Sequence, residues 1–137
     1  MPSDDPTVDV ESAYTAIVQA ETLLRVGRPG MGRSRPADFW DVQAVQPLAA
    51  LLFAASPLGN GQGMDWVRAA LANVDPEDVQ SPGWAHAAMR CSVSAPMLGQ
   101  SVVRTLTCDP RQRDSIVAAV RAAIVDTDGL HRQRRCG

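Results

Sequence analysis

The side chains best suited to binding chemistry in this sequence are arginines. All 13 basic residues are Arg, and the net charge is -2. A guanidinium pairs bidentately with carboxylates and phosphates, so a cluster of arginines is a candidate contact for an acidic protein or a nucleic-acid backbone. The clusters comprise Arg25, Arg28, Arg33 and Arg35 around a glycine-rich loop, Arg111 and Arg113 at a helix start, and Arg132, Arg134 and Arg135 near the end.

Five of these arginines are the candidate residues for binding nucleic acid or a partner: Arg28, Arg33, Arg35, Arg111 and Arg113. The alternative interpretation is a solvated loop and a solvated helix face. A net charge of -2 gives no global attraction to nucleic acid, so any such contact needs a local basic patch.

Patterns typical of catalysis or metal binding are not recognisable. His86 and His131 lack a His, Cys or Glu at the helical spacing of a two-ligand site. Cys91 follows His86 by five residues, which places the two on different faces of a helix and disfavours a Cys–His nucleophile pair. Without lysine, a P-loop motif and a Schiff-base lysine are excluded. We therefore expect no enzymatic activity, no cofactor, and neither catalytic nor metal-ligating residues.

The expected location is cytoplasmic, without membrane insertion. The three cysteines, Cys91, Cys108 and Cys136, have no paired metal spacing, and no secretory signal is recognisable. The longest apolar run, 47–55, is far shorter than the roughly 20 residues that a membrane-spanning helix requires.

The spacing of apolar residues predicts an all-α fold, a compact bundle of five to six helices. No segment has the alternation of a half-buried strand. We expect a disordered arm over 1–8, the all-α domain over 9–128, and a flexible Arg-rich tail over 129–137 that begins where Gly129 ends the last helix. The predicted helices cover about 9–26, 38–56, 64–73 and 110–128, with a further helical stretch from 82 to 106 that Pro96 interrupts and a short helical turn at 75–78.

The second predicted helix has an unusual apolar pattern. Residues 48–55 are apolar on every side, which indicates a central helix surrounded by the others. Pro47 lies inside this helix and is expected to kink it or split it. In the stretch 82–106, the apolar residues include Met89, Val93 and Val103, which we assign to the inward-facing set.

Two of these stretches together resemble the all-α domain of type IV coupling proteins, the conjugative DNA-transfer ATPases of the FtsK/HerA superfamily. The run DFWDVQAVQPLAALLFAAS is similar to an F-W helix of that domain, and DPRQRDSIVAAVRAAI resembles its later R-x-x-S-I helix. The matching residues are Phe39, Trp40, Ala44, Leu48, Leu51, Leu52, Ala54 and Ala55 in the first, and Arg111, Arg113, Ser115, Ile116, Val120 and Ile124 in the second.

In coupling proteins this domain caps the ATPase ring and receives the relaxase–DNA complex or protein substrates. The sequence departs from the family because Walker A and Walker B segments and a transmembrane anchor are absent. The resemblance therefore implies the receiving domain alone, a non-catalytic recognition module for DNA or a relaxase-type secretion substrate, acting either on its own or beside a separate ATPase.

Two alternatives stand beside this hypothesis. One is a self-associating structural or regulatory protein, in which Phe39, Trp40 and Trp66 serve packing or a dimer seam. The other is a truncated remnant of a coupling protein without activity, which the Arg-rich ending HRQRRCG suggests.

Overall fold

A computed structural model describes the backbone of residues 6–26 and 39–136, and the side chains of residues 7–24 and 43–124. Within these ranges every regular element is helical and no strand is present, which confirms the prediction of an all-α bundle. A short 3-10 helix, Pro6–Asp9, precedes six α-helices: α1 (Ala13–Val26), α2 (Phe39–Ala55), α3 (Met64–Ala70), α4 (Trp84–Ser94), α5 (Pro96–Thr107) and α6 (Pro110–Cys136).

Helix α2 is the centre of the bundle, as the apolar pattern predicts. Residues 47–56 are all buried, and α1, α3, α4, α5 and α6 pack around them. Burying a leucine side chain contributes about 1.5–3 kcal/mol, so the leucines of α2 carry a large part of the bundle's stability. Pro47 does not split the helix, which runs through it without a break. The proline removes one backbone donor, and its own ring is buried in the core.

The other helices form two groups on α2. Helices α1 and α6 pack against α2 and each other, while α4 and α5 form a helical hairpin on α2 that touches α6 through α5. The predicted interruption at Pro96 is confirmed, since this residue occupies the first turn of α5. At Gly99 the two hairpin helices approach so closely that a Cβ atom would lie 2.9 Å from the carbonyl oxygen of Ala88.

Several predicted boundaries differ from the structure. Helix α6 continues through Gly129 to Cys136, because a glycine inside a helix costs only about 1 kcal/mol and stops the helix only when it adopts a left-handed cap. Helix α3 ends at Ala70, three residues early, and residues 75–78 form a non-helical turn. The 3-10 helix lies partly within the predicted arm, where Thr7 is buried.

Candidate functional site

The structure describes two of the five candidate arginines. Arg28, Arg33 and Arg35 lie outside the described residues. Arg111 is exposed in the first turn of α6, and Arg113 is half-buried, with its Nε atom 3.4 Å from Oδ1 of Asp114. Asp109 and Asp114 are both exposed beside these arginines, so the formal charges of the four side chains cancel. The start of α6 is therefore a polar surface with no net positive charge of its own.

A second surface, on the α4–α5 hairpin, was not predicted. It is an open cleft with a volume of about 390 Å³, whose lining includes Ala88 and Ser92 of α4 and Pro96, Gly99, Val103 and Arg104 of α5. Val93 is 89% exposed and Val103 is 51% exposed, and Met89 and Met97 are also exposed. We call the cleft and these four side chains the hairpin surface.

The hairpin surface carries positive charge without any carboxylate. No Asp or Glu lies between Asp78 and Asp109 in the sequence, although the chain as a whole has a net charge of -2. Arg104 lines the cleft and forms no ion pair with any residue that the structure describes. A ligand that complements this surface must therefore combine apolar groups with negative charge.

The prediction that Met89, Val93 and Val103 face inward was wrong. Each α-helical residue turns by about 100°, so the buried side of α4 is defined by Trp84, Ala88 and Cys91, and positions 89 and 93 fall outside it. The apolar content of α4 and α5 is spread over more than one face, and only the packing partners show which face is covered.

His86 connects α4 to the preceding loop and is a structural residue. The Nε of Arg90 donates a hydrogen bond to Nε2 of His86 at 3.2 Å. Because Nε2 accepts, the ring proton is on Nδ1, which donates to the carbonyl of Ser81 at 3.2 Å. The ring also packs edge-on against Trp66, with 5.3 Å between ring centroids. These contacts fix the start of α4 and with it the position of the hairpin.

Asn73 organises the loop between α3 and α4. Its Nδ2 donates to Oδ2 of Asp78 and to the carbonyl of Pro82, both at 3.1 Å, and its own backbone carbonyl accepts from the amide of Trp84 at 3.0 Å. Gly83 is required beside it, since a Cβ there would lie 2.6 Å from the Asn73 Nδ2. No pattern in the sequence predicts this role of Asn73, because its partners are distributed over the loop.

The carboxylate of Asp78 should make the stability of this loop pH-dependent. The backbone N–H of Ser81, the Asn73 side chain and the backbone N–H of Gln80 all donate to it and lower the pKa of Asp78. A pKa lowered on folding means that the carboxylate stabilises the fold above its unfolded pKa, and that this contribution is lost as the pH falls through the folded value. We expect Asp78→Asn to lower the free energy of unfolding at neutral pH and to have a smaller effect in strong acid.

Denaturant unfolding of the wild type and Asp78→Asn, at neutral pH and in strong acid, measures how the loss of stability depends on pH. Glu77→Gln is the control for removing a nearby exposed carboxylate. A loss of stability that is the same at both pH values would contradict the role of Asp78.

Cys91 is the buried thiol of the hairpin and should be unreactive. Its Sγ lies 3.5 Å from the backbone carbonyl of Ala50 in α2, and burial raises its pKa to about 12. At that pKa only about one thiol in 10⁴ is ionised at pH 8, and the thiolate is the reactive form. In a Cys136→Ser background, we expect a thiol reagent at pH 8 to modify the half-buried Cys108 first and Cys91 only on unfolding. Equal labelling rates for the two thiols, measured by peptide mass spectrometry, would refute this.

The comparisons with known proteins define no relative. No known protein family, curated protein or solved structure matches this chain. In the part of the chain that the structure describes, no three His, Cys, Asp or Glu side chains come together as a metal site. None of the described helices is both long and apolar enough to cross a membrane. The structure thus defines the class as an all-helical bundle, and the function is inferred from its surfaces.

Proposed function

We propose that this chain is a non-catalytic helical recognition module that binds another protein through the hairpin surface. Scattered apolar residues are normal on protein surfaces, but here four large ones are exposed on two helices that pack together, and one of them, Val103, lines a cleft between these helices. The observation that carries the proposal is Arg104, which lies in that apolar cleft, forms no ion pair with the described residues and belongs to a stretch without carboxylates. The role agrees with the receiving domain that the resemblance to coupling proteins implies.

The chemistry of the hairpin surface favours a protein over a nucleic acid. Nucleic-acid interfaces need several cations that neutralise phosphates, whereas most of this surface is valine, methionine, alanine and proline. Arg90, the other arginine of the hairpin, is bonded to His86. Burial of exposed valine and methionine against a partner contributes about 25 cal/mol per Å² of apolar area, and Arg104 selects for acidic partners.

The proposal predicts that one substitution in the cleft removes the protein partner without disturbing the fold. Val103→Glu places a carboxylate in the apolar cleft at a half-exposed position, so the bundle should keep its free energy of unfolding. Ala118→Glu is the matched control, because position 118 is exposed on α6. Tagged wild type and both variants are purified from the native host cell, and the retained proteins are compared by mass spectrometry.

We expect the wild type and Ala118→Glu to retain the same protein and Val103→Glu to lose it. If the protein that Val103→Glu loses is a relaxase-type protein or a separate ATPase, this would support the resemblance to coupling proteins. Retention of the same proteins by Val103→Glu would contradict the proposal.

DNA is the second candidate partner, favoured by the exposure of Arg111 at the start of α6. If Arg111 and Arg113 contact phosphates, their joint replacement by alanine weakens DNA binding and reduces the slope of log K against log salt by about two. Arg121→Ala, at an exposed position further along α6, is the control and should leave the slope closer to that of the wild type. Absence of DNA binding by the wild type at low salt would eliminate this candidate.

A further inference from the structure

We infer that Asn60 is a deamidation site that the folded turn after α2 protects, and that its modification prevents this turn from forming again. Asparagine followed by glycine is the pair in which the backbone attacks the side chain most easily, because glycine has no side chain to hinder the approach. The chain has two asparagines, and Asn60 precedes Gly61 whereas Asn73 precedes Val74. The turn lies outside the hairpin surface, so the proposed function does not depend on this site.

The reaction needs only water. The backbone nitrogen of Gly61 attacks Cγ of Asn60 and loses its proton to the solvent, while Nδ2 of Asn60 takes up a proton and leaves as ammonia. The new bond between Cγ and the nitrogen closes a succinimide ring. Water then opens the ring at either carbonyl and leaves an aspartate or an isoaspartate at position 60, with no change of oxidation state.

The closed turn opposes this attack. The amide of Gly61 donates to the carbonyl of Ser56 at 2.9 Å, and the amide of Asn60 donates to the carbonyl of Ala54 at 2.8 Å. The first bond fixes the nitrogen that must attack, and the second fixes the residue that it must reach. Nδ2 of Asn60 is buried, so ammonia has no direct route to water. Attack therefore requires the turn to open.

One further hydrogen bond favours the reaction once the turn is open. Oδ1 of Asn60 accepts from the amide of Gln62 at 2.8 Å, which draws electron density away from Cγ and makes this carbon easier to attack. Its two partners are only two residues apart, so this bond can persist when the bonds to Ala54 and Ser56 are broken. The open turn is therefore reactive, and the closed turn is not.

Neither product fits the closed turn. An aspartate at position 60 places an ionised oxygen at the buried position of Nδ2, and removing a charge from water is costly. An isoaspartate adds a methylene group to the backbone between the amides of positions 60 and 61. These amides donate to Ala54 and Ser56, so the longer backbone cannot keep both bonds. Each opening of the turn thus exposes the chain to a change that is not reversed on closing.

The rates of deamidation at the two asparagines test the protection. The wild type is incubated at mildly alkaline pH, folded and in denaturant, and peptide mass spectrometry with fragmentation that distinguishes isoaspartate follows both positions. We expect Asn60 to react at least about tenfold more slowly in the folded protein, which corresponds to a free energy of opening of about 1.4 kcal/mol or more. In denaturant, Asn73 should be the slower of the two because the branched side chain of Val74 hinders the attack. Equal rates for Asn60 in folded and denatured protein, or faster reaction of Asn73 in denaturant, would overturn the inference.

Asn60→Asp tests whether the modified turn can form again. Gln62→Glu is the matched control, because it adds the same charge at an exposed position two residues later. We expect Asn60→Asp to lower the midpoint of thermal unfolding by about 4 °C or more and Gln62→Glu to leave it nearly unchanged. Equal midpoints for the two variants would show that the turn accommodates the product, and modification would then not prevent its formation.

Discussion

Replacing Leu51 with alanine is expected to lower the free energy of unfolding by about 2–5 kcal/mol. Leu51 is completely buried in α2, and five other helices pack around that helix. Each of these helices has its own contacts elsewhere in the bundle, so the cavity left by the leucine cannot close by the movement of a single helix. The cost should therefore lie above the transfer energy of the deleted methyl groups alone.

Denaturant unfolding followed by circular dichroism measures this loss. The matched control is Leu58→Ala, since Leu58 is more than half exposed in the turn after α2 and its truncation should change stability by about 0.5 kcal/mol or less. If Leu51→Ala and Leu58→Ala had similar effects, α2 would not be the centre of the bundle.

The second large effect is expected at Gly59, in the turn that ends α2. A Cβ on this residue would collide with the backbone carbonyl of Ala54, which accepts a hydrogen bond from the amide of Asn60 at 2.8 Å. Ser56 stabilises the same turn, because its backbone carbonyl accepts a hydrogen bond from the amide of Gly59 at 2.9 Å. Gly59→Ala must open this turn and disturb its hydrogen bonds together, so we expect a loss of about 3 kcal/mol.

Gly61→Ala is the control for this prediction. Gly61 has a φ of 71° but nothing lies within 4 Å of its Cβ position, so alanine there should cost only the left-handed backbone, about 1–2 kcal/mol. Thermal and denaturant unfolding measure the loss of stability in each variant. They compare the steric collision expected in Gly59→Ala with the backbone conformational cost expected in Gly61→Ala. A smaller loss for Gly59→Ala than for Gly61→Ala would show that the turn adapts to the side chain.

The core of the bundle could be predicted from the sequence because the residues that define it are neighbours along the chain. A stretch that is apolar on every side, 48–55, has to be surrounded, and Pro96 cannot continue the hydrogen bonding of α4. The end of α6 was not predictable in the same way. Gly129 is a common stop signal, yet the helix passes through it, since a glycine ends a helix only where the following chain leaves in another direction.

The residues of the candidate sites also differ in how far the sequence could predict them. Arg111 and Arg113 are conspicuous in the sequence because they are neighbours along the chain. The surroundings of Arg104 depend on tertiary packing, because Ala88 and Ser92 line the same cleft from another helix. The missing carboxylates between Asp78 and Asp109 were the one signal available in the sequence, and they indicate a binding surface only once the exposed valines are known.

Site-specific photo-crosslinking in the native host cell tests most directly whether the hairpin surface is where this chain binds protein. A photoreactive amino acid is placed at position 93, whose valine is 89% exposed on α4, and at exposed positions 111 and 118 of α6 for comparison. We expect position 93 to yield a defined protein crosslink and positions 111 and 118 to yield none. A crosslink from position 111 with none from position 93 would contradict it and move the binding site to the arginines of α6.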